Sequence, residues 1–209
     1  MELKITFIIP TIGRTTLVNA INSLKKQSNP NWKAIIVFDG CQVTYKSDDR
    51  RIGVMRVEKL GLGYNSAGEV RNKGINFVKT EWVAFLDDDD TISSNYVETF
   101  YNEIGEFNDV DTIIFRMSYH DNKDTIFPRL DDNNFHMNFV GISFAYKKKI
   151  FDNGIKFIPS NYEDYDILNR IRENNFKMMI SPYIRYFVRC NEYEEHKTNT
   201  IVGERVFIN

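Results

Sequence analysis

Residues 81–96, EWVAFLDDDDTISSNY, drive the apolar run Trp82, Val83, Ala84, Phe85 and Leu86 straight into four consecutive aspartates. The apolar run reads as a buried strand, whereas Asp87, Asp88, Asp89 and Asp90 repel one another unless something positive sits among them. Both demands are met if the strand ends at the edge of a sheet, with the acids just beyond its last buried residue. The rest of the chain therefore has to supply a sheet, an open edge and a source of positive charge.

The first half supplies the sheet. LKITFIIPT (3–11) reads as a buried strand ending near Pro10, followed by a helix with Leu17, Ala20, Ile21 and Leu24 on one face. WKAIIVFDG (32–40) and RIGVMRVE (51–58) predict two further strands, and a Gly-containing turn leads to a helix with Ala67, Val70, Gly74, Phe77 and Val78 on one face. After the fourth strand, Ile92, Tyr96, Val97, Phe100, Tyr101 and Ile104 define a helix, with Ser93 and Ser94 as candidate caps. This alternation predicts an α/β fold with a mostly parallel, helix-covered sheet. Thr11, Asp39 and Asp87 to Asp90 then share its carboxyl edge, where ligands bind in open α/β sheets.

The second half is less regular. Strands are expected over 110–120 and 139–148, with a charged, turn-rich stretch between them, and a helix over 163–174 with Ile167, Leu168 and Ile171 on one face. No linker or repeat divides the 209 residues, so a single domain is expected. Residues 1–105 would form the half beneath the site, and 106–209 a second, mixed wall over the strand ends.

Charge excludes one large class of partner. Lys plus Arg number 27 against 29 Asp plus Glu, which gives no general affinity for polyanions and predicts no nucleic-acid partner. Cys41 and Cys190 have no metal-ligand spacing and read as reduced, buried thiols. No charged leader or long apolar segment is evident, so the expectation is a cytoplasmic protein with no membrane span.

Three chemistries fit the acids. Asp87 and Asp89 are hard oxygen donors for a divalent cation that also grips a substrate's phosphates. Alternatively, the pattern Asp87-x-Asp89-x-Thr91 fits a haloacid-dehalogenase-type phosphatase with Asp87 as nucleophile. An acidic helix entry without catalytic function is the third. The turn around Gly61, Gly63 and Ser66 resembles a dinucleotide-binding turn only weakly, because a single ribose-binding acid is expected downstream rather than four.

Five motifs in order, FIIPTIGR, IIVFDG, GEVRNKGIN with EWVAFLDDDD, VGISFAYKKKIF and NYEDYDILNRI, resemble those of GT-A-fold glycosyltransferases, most closely family 2. The resemblance spans about residues 3–175 and implies a GT-A (Rossmann-like) domain. It also implies transfer from a UDP-sugar donor to a carbohydrate or glycoconjugate acceptor, with Mn²⁺ or Mg²⁺ held by the D-x-D. By position, Pro10, Thr11 and Asp39 would lie at the nucleoside, and Arg71 near the base or phosphates. Asp87 would lie near ribose and metal, and Asp89 would ligate the metal.

Asp90 is expected to support the metal site from behind. Asp88 is placed with the donor-binding set, but of the four it carries the weakest claim and is expected to face solvent. Arg14 and Lys73 are lesser candidates for phosphate contact. The pair Glu163-Asp164 matches the family's acidic pair, with Asp164 as general base for an inverting displacement. If the pair opens a helix, the dipole is expected to keep the base ionised. His196, Lys197 and Arg205 match no firm family position, and a non-catalytic sugar-nucleotide-binding domain is a further alternative. The aromatics of FHMNFVGISFAY (135–146) read as core, with acceptor stacking as a second possibility.

Overall fold

A computed structural model describes residues 2–60, 67–119, 125–189 and 201–208. The chain opens as a parallel sheet. Strand β1 (Ile5–Thr11) is buried throughout and is followed by α1 (Leu17–Lys25), whose predicted apolar face is buried to the last residue. β2 (Trp32–Asp39) pairs parallel to β1, and β3 (Ile52–Val57) pairs parallel to β2. After α2 (Ala67–Ile75) the chain crosses back, so that β4 (Trp82–Phe85) lies parallel to β1 on its other side.

That reversal of direction at β1 opens a crevice between the ends of β1 and β4, the usual place for a ligand. β4 stays with β1 only as far as the pair Ile8 and Phe85. Pro10 therefore sits centrally in the sheet without cost: its missing N–H would point to the side that β4 has already left.

The second half turns the sheet mixed. β5 (Thr91–Ile92) precedes α3 (Tyr96–Glu106), then come β6 (Thr112–Tyr119), β7 (Ile126–Phe127), β8 (Phe144–Lys147), α4 (Lys149–Asp152) and α5 (Glu163–Glu173). β9 (Met178–Val188) and β10 (Val206–Ile208) complete the order β10-β9-β6-β8-β4-β1-β2-β3, with β5 on β9 and β7 on β6. β8 runs antiparallel between β4 and β6 and so welds the two halves together. Phe85, Phe144, Tyr146 and Phe157 form an aromatic cluster across that junction, with centroids 5.3–6.4 Å apart.

Three local expectations change. Ile92 lies in β5 rather than α3, and Ser93 bonds Asn95 rather than capping the helix. Phe77 falls past the end of α2 and is exposed. β9, the joint longest element, escaped the periodicity argument because Pro182 and two buried or half-buried polar residues, Ser181 and Arg185, interrupt its apolar pattern. The turn at Gly61–Ser66, and with it the dinucleotide-binding alternative, lies outside the described residues, as do His120, Cys190, His196 and Lys197.

Candidate active site

The four acids follow β4 in a tight turn closed by the Asp90 N–H donating to the Asp87 carbonyl. Their partners differ, with Arg14 shared by two of them, which eases their mutual repulsion. Asp90 is buried and accepts from the Tyr186 hydroxyl at 2.7 Å and the Arg189 N–H at 2.7 Å. Burial, reinforced by the Asp87 charge, pushes its carboxyl up to about 8. Without a cation, a proton therefore removes one of the four charges at neutral pH.

Asp88 does not face solvent as expected. It is 4% exposed and accepts from the Thr11 hydroxyl at 2.6 Å and from the Arg14 guanidinium at 3.0 Å. The cause is the crevice itself: where β4 parts from β1, the turn folds back onto the free end of β1. Burial raises the Asp88 carboxyl, with Thr11 and Arg14 acting the other way. Asp89 stands outermost, with 37% of its side chain exposed, and takes the other bond of Arg14 at 2.7 Å. Arg14 thus occupies the outer acids as a cation would.

Asp87 points to the opposite side, toward a fully buried arginine. Arg71, on α2, donates to Asp87 and to Glu163, both at 2.5 Å, and lies 3.9 Å from Asp164. Glu163 is further fixed by the Gly68 N–H at 2.9 Å. A Cβ at Gly68 would stand 2.6 Å from the Glu163 carboxylate and 2.7 Å from Phe157, so only glycine lets α2 approach α5 this closely. Arg71, expected near the base or phosphates, lines the cleft described below and directs its bonds to carboxylates.

Asp164 opens α5 as expected, but burial dominates its chemistry. Desolvation, opposed by Arg71 and assisted by Asp87 and Glu163, pushes its carboxyl up to about 7. The expected pull of the helix dipole toward a permanently ionised base is outweighed. One of its oxygens, Oδ1, is buried without a hydrogen-bond partner among the described residues.

A cleft of about 550 Å³ joins these groups, reaching from Pro10, Thr11 and Arg14 past Asp87, Asp88 and Asp89 to Glu163 and Asp164. Asp39 also lines it, but its carboxylate already accepts from Lys59 at 2.6 Å and from the Leu60 N–H at 2.7 Å. Lys73 is exposed on α2 outside this lining. Arg205 pairs with buried Glu103 of α3 and lies outside the cleft lining. Sequence reasoning missed Tyr186 and Arg189, which reach the acids from β9. Their only signal was an unread strand.

Oxygens of Asp87, Asp89 and Asp90 lie within 4.8 Å of one another. Three hard carboxylates, two of them open to the cleft, fit Mg²⁺ or Mn²⁺. Among the described residues, no helix is long and apolar enough to cross a membrane.

A family model described as glycosyl transferase family 2 matches residues 6–161. Glycosyltransferase GlyG of Streptococcus pneumoniae serotype 4 is 27% identical over 140 residues, 63% of this chain and 42% of that protein. TarP of Staphylococcus aureus (strain N315), a poly(ribitol-phosphate) beta-N-acetylglucosaminyltransferase, is 24% identical over 231 residues, 98% of this chain and 69% of TarP. The crystal structure of S. aureus TarS 1–349 in complex with UDP-GlcNAc has a TM-score of 0.71 at 18% identity, covering 95% of this chain and 62% of that one. The chain spans less than half the length of GlyG and of two further relatives that it matches. The structural likeness establishes the α/β fold with its mixed sheet.

Proposed function

The chain belongs to glycosyl transferase family 2, and from that premise we propose that it moves a sugar from a UDP-sugar to an acceptor hydroxyl with the help of a divalent cation. One observation carries the reading: a single cleft holds a metal-competent acid cluster at one end and a carboxyl pushed up to about 7 at the other. UDP is favoured as the donor nucleotide by the likeness to TarS, solved with UDP and with UDP-GlcNAc.

Asp87 and Asp89, with Asp90 behind them, would hold Mn²⁺ or Mg²⁺, which would supply positive charge to the diphosphate as it departs. Arg14, displaced from Asp89, is then free to meet a phosphate. Tyr186 and the Arg189 N–H fix Asp90, and Arg71 fixes Asp87 against Glu163, so the acid turn is rigid before any ligand arrives.

Asp164 serves as the general base. The acceptor oxygen forms its bond to the anomeric carbon as the carbon–oxygen bond to the diphosphate breaks, and the acceptor's proton passes to the Asp164 carboxylate. A base works best when its carboxyl titrates near the working pH, and burial places Asp164 there. Glu163 has its oxygens committed to Arg71 and Gly68, which makes it a positioning residue rather than a second base. Attack from the Asp164 side, opposite the departing diphosphate, inverts the anomeric centre.

The phosphatase alternative would need Asp87 free to attack phosphorus, whereas Arg71 holds it. Calorimetric titration of UDP tests the proposal: affinity is expected with Mn²⁺, and at least tenfold loss in Asp89→Ala. Absence of any metal-dependent UDP affinity overturns it. Tight UDP binding with no turnover of any UDP-sugar would instead indicate a binding domain.

A further inference from the structure

The aromatics of 135–146 do not share one fate. Phe135, Phe144 and Tyr146 are core, but Phe139 keeps 38% of its surface exposed, flanked by exposed Leu130 and Met137. Phe139 packs edge-on against Phe127 at 5.3 Å, and the Arg129 guanidinium lies 5.9 Å over its ring. Phe139, Arg129, Asp131, Asp132 and His136 line a second cavity of about 450 Å³.

This cavity belongs to the same body as the base. Phe135 packs on Tyr165 of α5 at 6.0 Å, and Arg172 of α5 stacks over Phe135 and bonds Asn134. Two residues beyond Phe139 comes Gly141, whose missing Cβ would lie 3.9 Å from Oδ2 of Asp164 and 2.8 Å from the Met117 methyl. The segment that carries Phe139 therefore reaches the base at a glycine, close enough for the two to serve one bound molecule.

Polar groups on the platform are paired with one another. Arg129 is bidentate to Asp131, with contacts of 3.1 and 3.2 Å, and His136 meets Asp132 at 2.7 Å. The Arg129 guanidinium is thus already paired, and two carboxylates would repel a phosphate-bearing chain. An apolar ring face beside paired polar groups suits a neutral sugar ring, whose C–H face stacks on an aromatic while its hydroxyls exchange bonds with charged rims.

We propose that Phe139 and the paired polar rim of Arg129, Asp131, Asp132 and His136 form the acceptor subsite, which takes a neutral saccharide and presents its hydroxyl to Asp164. The inference rests on the transferase reading above, and its test is separable from that reading. Saturation-transfer NMR on the UDP- and Mn²⁺-loaded protein, with a panel of neutral methyl glycosides and with ribitol 5-phosphate as probes, reads the subsite directly. UDP affinity by calorimetry reads the donor site.

Saturation is expected for at least one neutral glycoside and none for ribitol 5-phosphate. Phe139→Leu, which keeps the packing on Phe127 but removes the ring, should weaken glycoside binding about tenfold. Phe139→Trp should retain it, and UDP affinity should stay within twofold in both. Preferred binding of ribitol 5-phosphate, no glycoside binding by a protein that binds UDP, or equal glycoside affinity in Phe139→Leu would each overturn the subsite. Failure of UDP binding in the wild type would instead overturn the transferase reading.

Discussion

Asp164→Asn should make the protein more stable while abolishing transfer, and the gain should depend on pH. Burial moves the Asp164 carboxyl from its ordinary 3.8 to about 7, so keeping it ionised in the folded protein is costly. Between these values the folded state holds a proton that the unfolded state has released, and stability therefore falls as pH rises across that window. At about 1.4 kcal/mol per pH unit the full cost above pH 7 is at most about 4 kcal/mol. The side chain is 26% exposed to the cleft, and water there lowers the figure to about 1–3 kcal/mol.

Urea unfolding in a chelating buffer at pH 5 and pH 8 measures the difference. At pH 5 the folded wild-type carboxyl is protonated and nearly isosteric with asparagine, but pH 5 already lies about 1.2 units into the window, so the variant should lead by only about a third of its pH 8 advantage. At pH 8 the variant should be the more stable by the amount above. A variant that is less stable at pH 8, or a difference that is the same at both pH values, would refute the claim that burial sets the chemistry of Asp164. The opposition of stability and activity at this position is what a base kept in a desolvated site implies.

Asp88 and Asp89 should fail in different ways. Asp88→Ala leaves the buried Thr11 hydroxyl without its acceptor and Arg14 with Asp89 alone, and should cost about 1–3 kcal/mol in a urea melt. Asp89→Ala, which removes a surface ion pair, should cost under about 1 kcal/mol yet abolish most Mn²⁺ affinity; equal stability losses would contradict the assigned geometry. Arg14→Ala removes the guanidinium that competes with a cation for Asp88 and Asp89. Calorimetry without nucleotide should therefore show Mn²⁺ binding tightened by up to about fivefold, and weakened binding would show that Arg14 does not compete.

Much of the scaffold was legible before any coordinates. The runs at 3–11, 32–40 and 82–86 are apolar enough to be almost wholly buried, 51–58 lies half exposed at the sheet's edge, and each became a parallel strand within one or two residues of its expected ends. Ile167, Leu168 and Ile171 share one face of α5 and are fully buried. Periodicity is a local property, and so are the strand ends that bring Thr11, Asp39 and Asp87 to one edge. β9 was not legible, because it is held by its neighbours β6, β10 and β5 rather than by its own pattern.

The sequence by itself determined that acids stand at a sheet edge, and it pointed to a helix over 163–174 that a second acidic pair could open. Only the tertiary structure decided what each acid does. Tyr186 lies 96 residues from Asp90, Glu163 lies 92 from Arg71, and Thr11 lies 77 from Asp88. Those long-range contacts assign Asp88 to the turn's own integrity and leave Asp89 open to the cleft, while burial under β9 pushes the Asp90 carboxyl up. The physical reason is that charge and desolvation act through space, so four identical neighbours in sequence acquire four different environments once the sheet folds around them.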